Sequence, residues 1–286
     1  MLSEQQKALF WEQGVLVVES ALSNEDLQPL RQQLEQWVEE SRSQDAPFGA
    51  MLDGRPRFDV QPGHSAEKPA LRRVASPEEL SEAYLNLVCE GALVEAVADL
   101  VGENVRFHHA KLNSKLPGSG TTVKWHQDFP FDPHSNDDCI SAMLFLDDVS
   151  RDNGPLRVVP GSHRGPLHTL WQDGVFTGAV DDAVAADCEA AAIECSGPAG
   201  SLCLMHTRCL HGSSTNNTDK PRSLYIATLT AADALPLTPV AVPSIHSGRI
   251  VRGEDSGRIR SVSFDIEAPQ IPKGASFFNQ QEGAKA

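Results

Sequence analysis

The sequence predicts a mainly β protein with flanking helices, whose core is one large barrel or jelly roll. Helical signals lie before about residue 103, and strand-like segments follow from Val105 onwards. The chain has 286 residues, and β domains of this general size often stay undivided. We therefore expect a single domain over 1–286, with a helical part at about 1–103, a β core at about 104–232 and an extended tail at about 233–286.

Capping residues and apolar stripes define the predicted helices. Ser3 with Gln6 predicts a capping box for a first short helix, and Ser23 predicts the cap of a second. The strongest helix start is at Ser76, because Pro77 follows it directly and a glutamate lies three residues after the cap. Apolar residues recur at helical spacing in two segments: Leu27, Leu30, Leu34, Trp37 and Val38, and Leu93, Val94, Val97, Leu100 and Val101.

Apolar and β-branched runs predict the strands of the core. These runs cover 105–113, 123–127, 140–146, 156–159, 191–195, 201–205 and 223–230. Two long connections, 51–73 and 168–187, are candidates for covering a site. The tail after Ala232 is rich in Pro, Ser and Gly, and we expect it to pack in an extended form against the barrel or against a partner, without forming a second domain.

Charge and composition exclude several classes of partner. The formal net charge is −15, which argues against nucleic acid and against an anionic membrane surface. The first residues lack the basic and apolar regions of a secretory signal, and no apolar run reaches transmembrane length. We expect a cytoplasmic protein acting on a small molecule, with six cysteines that are reduced and mostly buried. Nothing in the sequence indicates the oligomeric state.

His126 and Asp128 form the first chemical signal. Side chains two apart along a strand point the same way, so both residues face one side. One imidazole, one carboxylate and a second imidazole from elsewhere make a 2-His-1-carboxylate triad, which holds Fe(II) and leaves open positions. A His-x-Asp pair alone is weak evidence, because it also occurs on solvated loops. The strand-like residues at 123–125 and the apolar residues at 129–131 favour the metal hypothesis.

The second imidazole must come from downstream. His211 precedes a turn-rich segment, and Arg222 beyond it opens a β-branched, aromatic run. A hairpin at this turn returns Arg222 to the neighbourhood of His211, which makes His211 the first choice and His206 the second. We expect His134 to lie on the surface in a polar loop, and His163 to be structural or pocket-lining.

Arg222 fits a further requirement of many iron oxygenases. Its guanidinium is a planar fork that binds a carboxylate through two parallel hydrogen bonds. A keto-acid cosubstrate carries such a carboxylate. The order of His-x-Asp, distal histidine and nearby arginine therefore predicts an iron dioxygenase.

The chain resembles the phytanoyl-CoA dioxygenase family of Fe(II)- and 2-oxoglutarate-dependent oxygenases. The resemblance covers nearly the whole chain and does not depend on the triad alone. It includes the opening segments 10–18 and 22–27, the segment 125–129 around His-x-Asp, the segment 152–163 and the His-Gly-Ser at 211–213. This combination is more specific than any single motif.

The resemblance implies a fold, a cofactor set and ligands. The fold is a double-stranded β-helix, also described as a jelly roll or cupin-like core. Fe(II) is bound by His126, Asp128 and His211, and 2-oxoglutarate and O2 are the cosubstrates. The implied reaction is hydroxylation of a small molecule with release of succinate and CO2.

The resemblance also implies the contacts of 2-oxoglutarate. Arg222 binds its C5 carboxylate, and Ser213, two residues after the distal histidine, assists. Asn113, on the strand before His-x-Asp, is the best match for a polar residue that touches the cosubstrate.

Two functions from other classes remain open at this point. A zinc-dependent hydrolase could use the same three ligands, although Arg222 and the lack of an obvious general base count against it. A jelly-roll binding protein without catalysis is disfavoured by the complete triad. The acidic flank of the iron motif, Asp132, Asp137 and Asp138, mildly favours a neutral or cationic substrate over a CoA thioester.

Overall fold

Two antiparallel sheets form the core of the fold, with helices packed against the larger one, and two short strands pair in a separate two-stranded sheet. The structure is a computed structural model, which describes residues 1–118 and 120–270. The helices are α1 (Glu4–Gln13), α2 (Asn24–Ser41), α3 (Glu82–Cys89), α4 (Ala92–Val101) and α5 (Asp182–Ala191). The strands are β1 (Val15–Val18), β2 (Phe48–Leu52), β3 (Arg55–Val60), β4 (Leu71–Ala75), β5 (Val105–Lys115), β6 (Val123–His126), β7 (Cys139–Phe145), β8 (Leu156–Val158), β9 (Trp171–Gln172), β10 (Val175–Phe176), β11 (Ile193–Cys195), β12 (Leu202–His206), β13 (His211–Ser213), β14 (Arg222–Ala231) and β15 (Ile250–Arg252).

The sheets have the topology of a jelly roll, which confirms the predicted fold class. The large sheet has the order β1-β12-β7-β14-β5-β4-β3-β2, and β15 pairs with β5. The small sheet has the order β11-β8-β13-β6, and β9 and β10 pair separately from both sheets. Residues of both sheets line one cavity of about 190 Å³, so the cavity lies between them.

The large sheet has an apolar face and a polar face. Tyr225 and Ala227 of β14 are fully buried in the main hydrophobic cluster, together with residues of α2, α3 and α4. Thr228 and Ile226 alternate with them and line the cavity on the opposite face. The helices thus fix the sheet from behind and leave its inner face free for polar side chains.

The N-terminal part is less helical than the sequence suggested. Residues 1–103 contain β1 to β4 as well as the helices, and all four strands join the large sheet. The connection 51–73, expected to be a loop, is strand over about half of its length, at 51–52, 55–60 and 71–73. All four strands are short, and β3 and β4 also carry charged residues, so none shows the long apolar pattern of the later strands.

Ser76 was wrongly predicted as a helix cap. Its φ is +50°, and its Oγ donates to the carbonyl of Pro243 at 2.8 Å instead of accepting from the backbone. Only a three-residue 3₁₀ turn, Pro77–Glu79, follows, and the next helix begins at Glu82. The capping boxes predicted at Ser3 and Ser23 are both present.

The described part of the tail packs against the barrel, as expected. β15 extends the large sheet, and the amide of Val262 donates to the carbonyl of Ser135 at 2.9 Å. Arg260 pairs with Asp138 and Asp233. Residues 271–286 of the predicted tail lie outside the described residues. Within the described ranges, no helix is both long and apolar enough to cross a membrane.

Glu78 gives the fold a measurable pH dependence. Burial raises its pKa from 4.5 to about 7, although the charge of Arg57 opposes the shift. The folded state therefore keeps a proton that the unfolded chain releases, and stability falls as the pH rises from about 4.5 to about 7. The slope is at most about 1.4 kcal/mol per pH unit. Glu78→Gln should flatten this fall, measured by urea unfolding at pH 5 and pH 8. If the free energy of unfolding fell equally with pH in wild type and in Glu78→Gln, Glu78 would not be the source of the pH dependence.

Candidate metal centre

Adjacent strands of the small sheet place two imidazoles side by side. His211 on β13 is in register with His126 on β6, and their ring centroids are 4.1 Å apart. The Nδ1 atoms contact the carbonyls of Lys124 at 2.8 Å and Cys209 at 3.0 Å. A carbonyl only accepts, so each Nδ1 carries the proton and donates. Each Nε2 therefore keeps its lone pair, which is the form of histidine that ligates a metal.

Asp128 completes the cluster. Its Oδ1 lies 3.6 Å from the Nε2 of His126 and 3.6 Å from the Nε2 of His211. Its Oδ2 accepts from Ser141 Oγ at 2.9 Å, which leaves Oδ1 facing the imidazoles. Gln127 points the other way, and its Nε2 donates to the carbonyl of Arg208 at 2.7 Å. The alternation expected from the sequence therefore holds across the three residues.

The chemistry of these donors fits Fe(II). Two nitrogen atoms and one carboxylate oxygen lie within 4.8 Å of one another, as in a facial triad. Burial alone would raise the pKa of Asp128, but His211 and His126 together hold it far below its usual value. Burial, reinforced by His126, lowers the pKa of His211 to about 4. The carboxylate is thus ionised and His211 neutral near pH 7, as ligation requires.

A buried pair of cations lies at one end of the cavity. Arg222 on β14 is in register with Lys115 on β5. Lys115 Nζ donates to Ser213 Oγ at 2.6 Å, and Arg222 Nη2 donates to the carbonyl of Gly154. Burial and then the charge of Arg222 lower the pKa of Lys115 to about 7, and burial lowers that of Arg222 to about 10. Two cations held this close favour an anion between them.

Asn113 lies on β5, two residues before Lys115. It lines the cavity, and its buried Oδ1 has no hydrogen-bond partner within the described residues. The structure thus brings Arg222, Ser213 and Asn113, predicted to contact the cosubstrate, into the cavity that also holds the three proposed ligands.

Sequence reasoning missed several polar residues of the cavity. Lys115, Lys111 and His109 all line it from β5. A signal was available, because polar residues at 109, 111, 113 and 115 alternate with Ala110 and Leu112, which are fully buried.

The histidines outside the metal cluster only partly match their predicted positions. His206, the second choice as ligand, packs away from the metal cluster against Trp11 and His163, with ring centroids 5.9 and 5.2 Å away. His163 is structural, since its Nε2 lies 3.2 Å from the carbonyl of Trp11. The prediction of a surface position for His134 was wrong. Its exposed fraction is 1%, because the tail covers the loop and the ring packs on His108.

A second cluster of potential ligands comprises His108, His109 and Asp132. A bulge in the β5–β14 pairing skips His108, which lets two consecutive residues serve one cluster. His108 Nε2 lies 3.5 Å from Asp132 Oδ1. Burial alone would raise the pKa of Asp132, but His108 and His109 together lower it to about 2.

The connection 168–187 does not reach the cavity directly. It contains β9, β10 and the start of α5, and none of its described residues lines the cavity. Phe176 on β10 packs edge-on against Phe131, which does line it, at 5.4 Å. The segment therefore supports the cavity wall from outside. All six cysteines are free thiols, five of them buried, as the sequence predicted.

A jelly roll whose inner surface carries two histidines and a carboxylate beside a buried arginine is typical of the Fe(II)- and 2-oxoglutarate-dependent dioxygenases. The chain belongs to the phytanoyl-CoA dioxygenase (PhyH) family, whose sequence profile matches residues 10–224. The family resemblance deduced from the sequence is therefore confirmed.

Individual relatives support the same class. A protein named probable alpha-ketoglutarate-dependent hypophosphite dioxygenase, from Stutzerimonas stutzeri, is 31% identical over 276 residues, covering 94% of this chain and 92% of its own length. An L-proline trans-4-hydroxylase from Streptomyces griseoviridis is 28% identical over 261 residues, covering 84% and 91%. The structure of EctD from S. alaskensis with bound Fe shares the fold, with a TM-score of 0.69 at 22% identity, covering 93% of this chain and 88% of that chain.

Replacing the two candidate distal histidines separately tests the metal centre. His211→Ala removes an imidazole of the cluster and should abolish stoichiometric Fe(II) binding. His206→Ala should leave Fe(II) binding intact and lower stability instead, because His206 is buried against other rings. Anaerobic Fe(II) titration and thermal unfolding of both variants measure the two effects. If His206→Ala lost Fe(II) binding and His211→Ala kept it, His206 and not His211 would be the second imidazole ligand.

Proposed function

We propose that this protein hydroxylates a small molecule, with His126, Asp128 and His211 as iron ligands and 2-oxoglutarate anchored by Arg222. The observation that carries the proposal is the pairing of two sites in one cavity. The metal cluster occupies one part, and the Arg222–Lys115 pair, which forms no ion pair with a described carboxylate, occupies another.

Each residue has a distinct role in this proposal. The imidazoles and Asp128 Oδ1 bind the metal in the orientation fixed by their backbone and Ser141 contacts. Arg222 and Lys115 bind the C5 carboxylate of 2-oxoglutarate, with Ser213 held against Lys115. Bound iron supplies the redox chemistry by which O2 oxidises 2-oxoglutarate to succinate and CO2 and hydroxylates the substrate. The protein's contribution is mainly positioning and exclusion of water.

A zinc-dependent hydrolase is not favoured. Asp132, the nearest carboxylate outside the metal cluster that could act as a general base, is engaged by His108. A hydrolase would also leave the buried cations without a role. The relatives named above are dioxygenases or hydroxylases, and the names of two of them refer to small substrates, hypophosphite and L-proline.

Anaerobic addition of Fe(II) and then 2-oxoglutarate tests the function directly. Chelation of the metal by the keto acid should give a weak visible charge-transfer band, which a hydrolase or a binding protein would not show. Asp128→Ala should eliminate the band, since it removes the only anionic ligand of the cluster. A wild-type protein that binds Fe(II) and shows no band would overturn the proposal.

Arg222→Gln tests the cosubstrate anchor. Loss of a charge-assisted hydrogen bond costs about 1.5–3 kcal/mol, so the 2-oxoglutarate requirement should rise at least about tenfold. Fe(II) affinity should change far less, because Arg222 does not belong to the metal cluster. Independent titrations of the two cofactors, followed by succinate release, separate these effects.

Arg208→Gln is the matched control. Arg208 is the other arginine near His211 in sequence, but its guanidinium is engaged by Asp137 at 2.7 Å and the carbonyl of Gly165 at 2.9 Å. Its replacement should leave the 2-oxoglutarate requirement unchanged. A rise in that requirement for Arg208→Gln alone would move the anchor to Arg208.

A further inference from the structure

Two more cations, Lys111 and Arg73, line the cavity away from the Arg222–Lys115 pair. Lys111 lies on the cavity face of β5, two residues before Asn113, and Arg73 on β4 is directly opposite Asn113. Within the described residues neither side chain forms a hydrogen bond or an ion pair, and the Nε of Arg73 is sealed from solvent. Both are only partly buried, because the cavity itself exposes them.

The neighbouring charges are already matched. Arg72 holds Asp59 at 2.8 Å, and Arg57 holds Glu79. The acids that the sequence placed beside the iron motif are engaged as well: Asp132 with His108, Asp137 with Arg208 and Asp138 with Arg260. These contacts remove the support that the acidic flank gave to a neutral or cationic substrate, and the charge of the substrate stays a prediction.

Lys111 and Arg73 therefore have no direct ion-pair partner within the described residues, although Asp128 and Asp132 attract the charge of Lys111, and Asp59 that of Arg73, without direct contact. Burial, and then the charge of Arg73, lowers the pKa of Lys111, and burial lowers the pKa of Arg73 to about 10. Keeping unpaired charge in such a place is costly. An anion bound between the two side chains would remove that cost.

The position of this pair separates it from the proposed cosubstrate anchor. Lys115 and Arg222 are in register at one end of the β5–β14 pairing, whereas Lys111 is opposite Ile226, further along. Arg73 lies on β4, on the side of β5 away from β14. An adjoining cavity of about 380 Å³ shares Arg55, Arg72 and Arg73 with the inner one, so Arg73 lies where the two cavities meet.

We propose that Lys111 and Arg73 bind an oxyanion group of the substrate, a carboxylate or a phosphorus oxyanion, and so hold the substrate beside the metal cluster. This inference rests on the proposed function, because it assigns the substrate class of the same cavity. The hypophosphite named for the relative from Stutzerimonas stutzeri is an oxyanion of this kind.

The test measures oxyanion binding to the anaerobic Fe(II)- and 2-oxoglutarate-loaded protein by calorimetry. The probes are hypophosphite, phosphate, acetate and L-proline, with acetamide and L-prolinamide as partners that lack the anion. At least one oxyanion should bind saturably at one site, and its uncharged or cationic partner should not. Comparing the phosphorus and carboxylate probes shows which oxyanion the site prefers. Failure of every oxyanion to bind, or equal binding of an amide, would overturn the proposal.

Lys111→Met and Arg73→Gln test whether these two side chains form the oxyanion site. Each should weaken binding of the responsive oxyanion at least about tenfold, since a charge-assisted hydrogen bond is lost. Each should also leave the 2-oxoglutarate affinity within about twofold of wild type. Lys68→Met and Arg258→Gln are controls, because both residues are exposed. Arg73→Lys, which keeps the charge, should recover part of the binding if Arg73→Gln is poorly folded.

The outcomes separate this inference from the function on which it rests. If the wild-type protein shows the charge-transfer band and both variants bind the oxyanion as well as wild type, the oxyanion inference is overturned and the proposed function stands. Loss of 2-oxoglutarate affinity in both variants assigns Lys111 and Arg73 to the cosubstrate and also overturns it. Absence of the band in wild type overturns the proposed function, whereas oxyanion binding to the metal-free protein still tests the cation pair.

Discussion

The register between β6 and β13 is the constraint on which the site depends. A slip by one residue would turn His211 away from His126, because alternate residues on a strand face opposite sides. Close approach of the strands requires Gly212, where a Cβ would lie 2.9 Å from the carbonyl of Val123. The same backbone that sets the register also accepts the Nδ1 protons. Strand pairing therefore fixes both the position and the tautomer of the imidazoles.

The large sheet combines two opposing demands. Its inner face carries Lys111, Asn113 and Lys115, whose desolvation works against folding. Its outer face packs fully buried residues such as Leu112 and Tyr225 against the helices, which supplies the apolar burial that offsets this cost. The helices thus have a direct connection to function, since without them the sheet could not hold unpaired cations in its interior.

The sequence predicted those site residues whose positions depend only on neighbouring residues in the chain. His126 and Asp128 follow from strand alternation, and the turn before Arg222 follows from its composition. Arg73 belongs to the segment 51–73, which was predicted to cover the site, but its position opposite Asn113 depends on the pairing of β4 with β5. The error at Ser76 has the same origin, since a contact with distant Pro243 overrides a strong local capping signal. Tertiary contacts between distant segments decided what the sequence pattern left open.

The pairing of β1 with β12 has a consequence for biosynthesis. β1 leaves the ribosome long before its partner, Leu202–His206, is made. Until then Val15–Val18 is an apolar strand with an open edge, a common starting point for aggregation. Contacts so distant in sequence also slow folding. The nascent chain therefore carries an unpaired apolar segment until β12 has been made, and early mispairing of β1 is the step at which aggregation competes with folding.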